Sequence, residues 1–199
     1  MVIGVCPASL PNICYMSWVV SQRQVAFVTD NTYQKQTYRN RTEIYGTNGK
    51  LKLTIPIVHN KKQSRQTDKA VAINYDNNWQ KDHWKSLEAA YRSSPFFEFY
   101  EDDFQPFYYR NFDKLMDFNI ELIKKILLLL DSDIILLTEK KADKEFSDLI
   151  IAKKVNKIEI PQYHQVFQSK HGFINNLSVL DLLFNLGPHS LEYLNRLKY

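Results

Sequence analysis

Apolar positions come in short runs in the first third of the chain and in helical stripes later. Val2–Cys6 is an apolar run halted by Pro7, and Val25–Thr29 is a second one ending at Asp30; both read as buried strands. Between them, Pro11 cannot continue a helix interior and restricts Leu10 before it, which predicts a loop over 8–12. Asn12 then stands as the N-cap of a helix from Ile13 to about Gln22. Strand, loop, helix and strand within some thirty residues is the βαβ pattern, which places the two strands parallel. In such sheets the ligand crevice lies beyond the carboxyl ends of the strands. That rule puts the Pro7–Pro11 loop and the Asp30 loop at one edge, and function is sought there.

Residues 31–41 turn polar without an apolar period and hold Tyr33, Lys35, Tyr38, Arg39, Asn40 and Arg41 in one loop. Leu51–Val58 alternates apolar and polar positions, a half-buried strand in which Pro56 favours an edge. Lys61–Lys69 reads as a flexible polar insertion, and Val71–Tyr75 as a weak strand. Trp79 to about Arg92 predicts a helix capped by Asn77 or Asn78, with His83, Trp84, Leu87 and Tyr91 on one face. Residues 93–110 are rich in aromatic and acidic side chains. Leu115–Leu130 is the firmest helix, striped by Leu115, Phe118, Leu122, Ile126 and Leu129. Ile134–Leu137 predicts a buried strand, residues 139–154 are amphipathic and charged, and Lys157–Ile160 predicts a short strand. Leu177–Leu186 is a hydrophobic helix stopped by Gly187 and Pro188. The fold class is therefore α/β: a βαβ opening, a mostly parallel, Rossmann-like sheet and a helical C-terminal half. No repeat or linker divides the chain, so residues 1–199 are expected to form one domain.

Composition changes this picture little. The chain has 199 residues, long enough for one substantial core. Aromatic residues reach 14% against only 5 glycines, which suits bulky packing and argues against a Gly-rich phosphate loop. The net charge is +4. Lys50, Lys52, Lys61, Lys62, Arg65 and Lys69 form the clearest basic cluster, interrupted by Gln, Ser and Thr. A solvated loop is the simplest account of it, an anionic small substrate the next, and nucleic acid the last, since no concentrated Lys/Arg stripe is present. Cys6 and Cys14 match no zinc or redox spacing, and the histidines show no metal-ligand spacing, so neither a metal nor a cofactor is expected. The N-terminus lacks a signal-peptide pattern, and the longest apolar run, Ile126–Leu130, is far too short for a bilayer. A cytoplasmic setting follows.

Several residues carry candidate chemistry. Asp30, at a strand end, can act as a base or bind a hydroxyl or a metal, or simply cap a turn. Lys35, Arg39 and Arg41 bring three cations into one loop, and the planar Arg fork suits a phosphate or carboxylate; solvated surface charge is the alternative. Asn40 orients a ligand or caps a turn. His83 is a core histidine or, if it reaches the crevice, the natural general base. Cys6 ends the first strand as a small buried residue or as a nucleophile awaiting a neighbouring base. The rings from Phe96 to Tyr109 stack a sugar or base, pack a core, or form a protein interface such as that of a homodimer.

The motifs, taken in order, resemble the WbqC-like family. They are the Pro7-Ala8-Ser9-Leu10-Pro11 loop followed by Tyr15 and Trp18; Asp30; Tyr33-Gln34-Lys35 running into Arg39-Asn40-Arg41; and Leu53-Thr54-Ile55-Pro56. After these come Trp79, His83 and Tyr91; Asp117 and Asn119; Tyr163 and Gln165; and Leu177 to Gly187 with Ser178, Asp181 and Asn185. The match is collinear over most of the chain. Two departures stand out: Cys6 occupies the place where a Gln is usual, and residues 139–157 lack the Gly-rich, Tyr-containing segment of longer members. The family is associated with gene clusters for bacterial O-antigen and related sugars. The resemblance therefore implies a transferase acting on an activated sugar, acyl or nucleotide donor. Asp30, His83 and Lys35 are its catalytic candidates. Pro7, Pro11, Tyr33, Arg39, Asn40, Arg41, Trp79, Tyr163 and Gln165 are its substrate-binding candidates, for an anionic small molecule such as a nucleotide sugar. The alternative is a non-catalytic partner in an envelope or polysaccharide assembly. The opening is also loosely similar to nucleotidyltransferases of the HIGH-motif type, although Asn12-Ile13-Cys14-Tyr15 supplies neither His nor Gly.

Overall fold

A computed structural model gives the fold and describes residues 1–58, 66–137, 142–152 and 158–197. Strand β1 (Ile3–Val5) leads through a buried loop into helix α1 (Ile13–Val20), and β2 (Gln24–Phe27) returns parallel to β1 with Gly4 opposite Ala26. The predicted βαβ unit is present. Its helix starts where the sequence placed it, because the Asn12 side chain accepts a hydrogen bond from the Tyr15 amide at 2.8 Å. Strand β5 (Ile135–Leu137) joins β2, and β6 (Lys144–Glu145) joins β1 on its other side, giving an all-parallel sheet in the order β5-β2-β1-β6.

Between β2 and β5 runs a separate antiparallel hairpin, β3 (Arg41–Gly46) and β4 (Gly49–Thr54). Helix α2 (Trp79–Tyr91), α3 (Phe97–Phe104) with a tight turn over Gln105–Tyr108, and α4 (Leu115–Leu129) follow it. The C-terminal part holds the single turn α5 (Gln168–His171), then α6 (Val179–Leu186) and α7 (Ser190–Arg196). Ser178 caps α6 through a 3.3 Å bond from the Leu180 amide, and Gly187 ends it at φ +54°, as the sequence predicts. The α/β class with a helical C-terminal half is therefore observed. Most of the buried apolar residues form one connected cluster from Val5 to Leu197.

Five local expectations differ. Residue 41 begins β3, whereas the sequence pattern predicts loop over the whole of 31–41 and no strand before Leu51; the hairpin turns through Thr47 and Asn48, with Gly49 at φ +95°. The strand expected over Leu51–Val58 ends at Thr54, before Pro56 removes a donor. Val71–Tyr75 makes only isolated bridges, Ile57 to Ile73 and Ala72 to Lys114. Residues 158–160 form no strand, and Lys157 lies outside the described residues. At the start of α2, Asn78 sits at the cap position but its side chain makes no capping bond.

Candidate functional site

The carboxyl end of β1 lies beside β6, where the order of strands reverses, the position at which open parallel sheets leave a crevice. Cys6 follows β1 there, fully buried, with its Sγ 3.4 Å from Oδ2 of Asp68. The other carboxylate oxygen of Asp68 accepts from Arg39 Nε at 2.8 Å, and both side chains are sealed from solvent. The Asp68 segment is laid along the loop after β2, its amide bonded to the Asn31 carbonyl at 2.8 Å and that of Lys69 to the Thr29 carbonyl at 2.8 Å. Asn31 in turn donates to Glu145, at the end of β6. Burial pushes the Cys6 thiol far up, against the opposing pull of Arg39, so the sulfur stays protonated and acts as a donor to Asp68. Burial also raises the Asp68 carboxyl, with Arg39 holding it down in opposition.

Helix α4 fixes the next layer. Asn119, fully buried, donates its amide to the Pro7 carbonyl at 3.1 Å and to the Arg39 carbonyl at 2.8 Å. The Ser9 amide bonds the Tyr38 carbonyl at 2.8 Å, and the Thr42 hydroxyl bonds the Leu10 carbonyl at 2.8 Å. Leu10 adopts φ +39° to make that turn, a strained conformation that the surrounding bonds hold in place. The Pro-bounded loop and the Arg39-Asn40-Arg41 run therefore do meet, through backbone bonds and one asparagine.

In front of this layer opens a cleft of about 370 Å³ lined by Tyr33, Lys35, Asn40 and Arg41, with Thr54 to Ile57 as its far wall. Asn40 Nδ2 is spent on the Ile55 carbonyl at 2.9 Å. Its Oδ1 and the Nε of Arg41 are buried without a hydrogen-bond partner. Burial raises the Tyr33 phenol, while Arg39 and Arg41 both draw it down. Among the described residues neither Lys35 nor Arg41 has an ion-pair partner. The cleft thus gathers two cations without an ion-pair partner among the described residues and an amide oxygen without a hydrogen bond, a set complementary in charge to an anion.

The remaining sequence candidates lie elsewhere. Asp30 is outside the cleft wall: its side chain is 78% exposed and pairs with Lys69 at 2.5 Å. The carboxylate that faces the Arg-Asn-Arg run is Asp68, which the sequence reading assigned to a flexible insertion. The signal available for it was a lone acid at the point where the apolar pattern resumes in Ala70-Val71. His83 is sealed against Trp79 and Tyr108, with ring centroids at 5.0 and 6.3 Å. Burial pushes its pKa down to about 4, opposed by a bond to the Thr54 carbonyl. Thr54 lines the cleft and His83 does not. Trp79 is core, its indole Nε1 buried without a partner. Pro11 is buried and its carbonyl accepts from the Val179 amide at 2.8 Å. Tyr163 and Gln165 hold the buried carboxylate of Asp181 on α6, at 2.5 and 2.8 Å, away from the cleft wall. Burial raises that carboxyl, with the Tyr163 and Gln165 bonds opposing.

Among the described residues no three His, Cys, Asp or Glu side chains converge as a metal requires, and no helix is long and apolar enough to cross a membrane. No curated protein and no solved structure matches the chain. The profile of the WbqC-like protein family matches residues 7–145 and 137–193, nearly the whole length and with every element of the cleft inside it. The chain belongs to the WbqC-like protein family.

Proposed function

We propose that the cleft holds the phosphate or carboxylate of an activated donor, such as a nucleotide sugar, and that the protein is a transferase of bacterial surface-polysaccharide synthesis. The observation that carries this reading is the pair of unmatched cations, Lys35 and Arg41, beside two buried polar atoms that lack partners. A buried donor left unpaired is costly, and an anion accepting from Arg41 Nε removes that cost on binding. The same cations would stabilise charge developing on a leaving diphosphate. Asn40 Oδ1 would accept from a hydroxyl of the donor, and the Arg39–Asp68 pair would hold the loop that carries both groups.

A second reading, binding without catalysis, is favoured by the placement of Asp30 in solvent and of His83 behind Thr54. One experiment separates the two. Melting temperature and release of free nucleotide or thiol are measured with a panel of nucleoside diphosphate sugars, nucleoside monophosphate sugars and acyl thioesters. The transferase reading expects stabilisation by one donor class, turnover in the presence of an acceptor extract, and loss of both in Arg41→Ala and Lys35→Ala. Asp30→Asn should keep the shift. Stabilisation without turnover supports the binding reading. Absence of any shift, or a shift that survives Arg41→Ala, removes the cleft as the site.

A further inference from the structure

A second concave surface opens on the opposite side of His83. It has a volume of about 640 Å³ and lies between the first turns of α2 and the turn joining α3 to α4. That volume falls in the range of small-molecule sites. Its lining is unusual in kind: four aromatic rings and five amide side chains, with Lys81, Lys85 and Glu88 the only charged members and no aliphatic residue. Trp84 and Tyr108 form the buried part, their rings 5.7 Å apart, and the exposed Tyr109 stands over it. Among the described residues the amides of Asn77, Asn78, Gln105 and Asn111 are engaged in no hydrogen bond within the protein, whereas Gln80 is spent on the Arg110 carbonyl. The Tyr108 hydroxyl is buried without a hydrogen-bond partner among the described residues.

We infer that this groove binds a saccharide. The argument is one of matching chemistry. A sugar ring presents an apolar C–H face and a rim of hydroxyls, each both donor and acceptor. The exposed Tyr109 ring and the half-buried Tyr75 ring supply flat, low-entropy surface for the face, over a floor of Trp84 and Tyr108. Each free amide offers a donor and an acceptor side by side, which fits adjacent hydroxyls. Four unspent amides around aromatic rings exceed what a nucleobase edge can use, and a fatty chain would leave them unpaired at a cost. The charged residues sit at the rim, consistent with a ligand neutral at its centre. The groove and the cleft share a wall: Thr54 lines the cleft, bonds His83, and His83 packs on Tyr108 of the groove. A donor in one and a sugar in the other would occupy opposite faces of the same aromatic layer. The groove does not depend on the cleft for its own binding.

The test is saturation-transfer NMR of the whole protein with glucose, galactose, mannose, rhamnose, N-acetylglucosamine and short oligomers of each, beside adenosine and uridine. Ligands at about 20 mM exceed a millimolar dissociation constant well enough to be seen. At least one saccharide should receive saturation on its ring protons. Gln105→Ala, Asn111→Ala and Tyr109→Ala, all at positions with exposed or half-buried side chains, should each weaken it by about threefold to tenfold. Arg41→Ala should leave it unchanged, so failure of the cleft reading and of this one are distinguishable. Saturation of the nucleosides alone, of no ligand, or of a sugar whose affinity ignores all three groove variants overturns the inference.

Discussion

Removing the Asp68 carboxylate tests whether the site is built around a sealed ion pair. In Asp68→Ala the Arg39 guanidinium, 2% exposed, keeps only the Thr37 hydroxyl at 3.3 Å and has no counter-ion. The Cys6 thiol loses its acceptor as well. Breaking a buried pair by deleting one member costs about 3–5 kcal/mol, because the survivor is an uncompensated charge. Set against a typical total of about 5–15 kcal/mol, that is a large fraction of the stability. At about 2–4 °C per kcal/mol for a chain of this size, the melting temperature should fall by about 6–20 °C. Replacing both members relieves the stranded charge, so Arg39→Met/Asp68→Ala should be clearly more stable than the sum of the two single changes, by about 1–3 kcal/mol. Urea unfolding followed by tryptophan fluorescence reads all four proteins. A single-mutant cost below about 1 kcal/mol, or a strictly additive double, refutes the reasoning; the pair would then be solvated in solution.

Acid stability should carry the mark of His83. Its pKa falls from 6.5 unfolded to about 4 folded, so between those values the unfolded chain binds the extra proton and stability drops as pH falls. The difference in unfolding free energy between wild type and His83→Gln should therefore shrink by roughly 3 kcal/mol from pH 7 to 4, and a constant difference across that range would contradict the sealed placement. Gly4→Ala should destabilise the sheet by about 1–3 kcal/mol or prevent folding, since a Cβ there meets Ala142 Cβ and Val28 Cγ2, each at 2.5 Å. Circular dichroism melts check it, and an unchanged melt would place β6 away from β1.

What the sequence made legible was local. Val2–Cys6 and Val25–Thr29 are continuous apolar runs, Asn12 is a cap three residues before the amide it binds, and Ser178 and Gly187 bracket α6 by side-chain and backbone chemistry that needs no distant partner. What stayed hidden was non-local. Strand β6 is Lys144 and Glu145, two charged residues with no apolar pattern, held in the sheet by backbone pairing to Ile3 and Gly4. Strand β3 was hidden because only Thr42 and Ile44 to Gly46 are buried in it and it begins inside a cationic run. The Asp30 reading followed a sound rule about strand ends. Yet two carboxylates compete for the cations, and nothing periodic tells which loop folds back; the backbone bonds from Asp68 and Lys69 to Asn31 and Thr29 decide it.

The same distinction divides the Arg-Asn-Arg run, whose two arginines look equivalent in the sequence. Arg39 already has its charge matched by Asp68 and its fork turned inward, so an arriving anion gains little from it and its loss is felt as unfolding. Among the described residues Arg41 has no carboxylate partner and keeps a buried Nε–H unpaired, a cost the free protein bears until an acceptor arrives. Stability and binding should therefore come apart along three residues: variants at 39 shift the unfolding curve, and variants at 41 shift the ligand titration with the curve nearly fixed. Asn40 couples the two, because its amide pins the loop to Ile55 while its oxygen, on a residue that lines the cleft, is buried without a partner. Asn40→Asp would place a negative charge beside Arg41, pairing the cation internally and lowering anion affinity, and it would also replace the amide that donates to the Ile55 carbonyl with a repelling oxygen, so the unfolding curve should move together with the ligand titration.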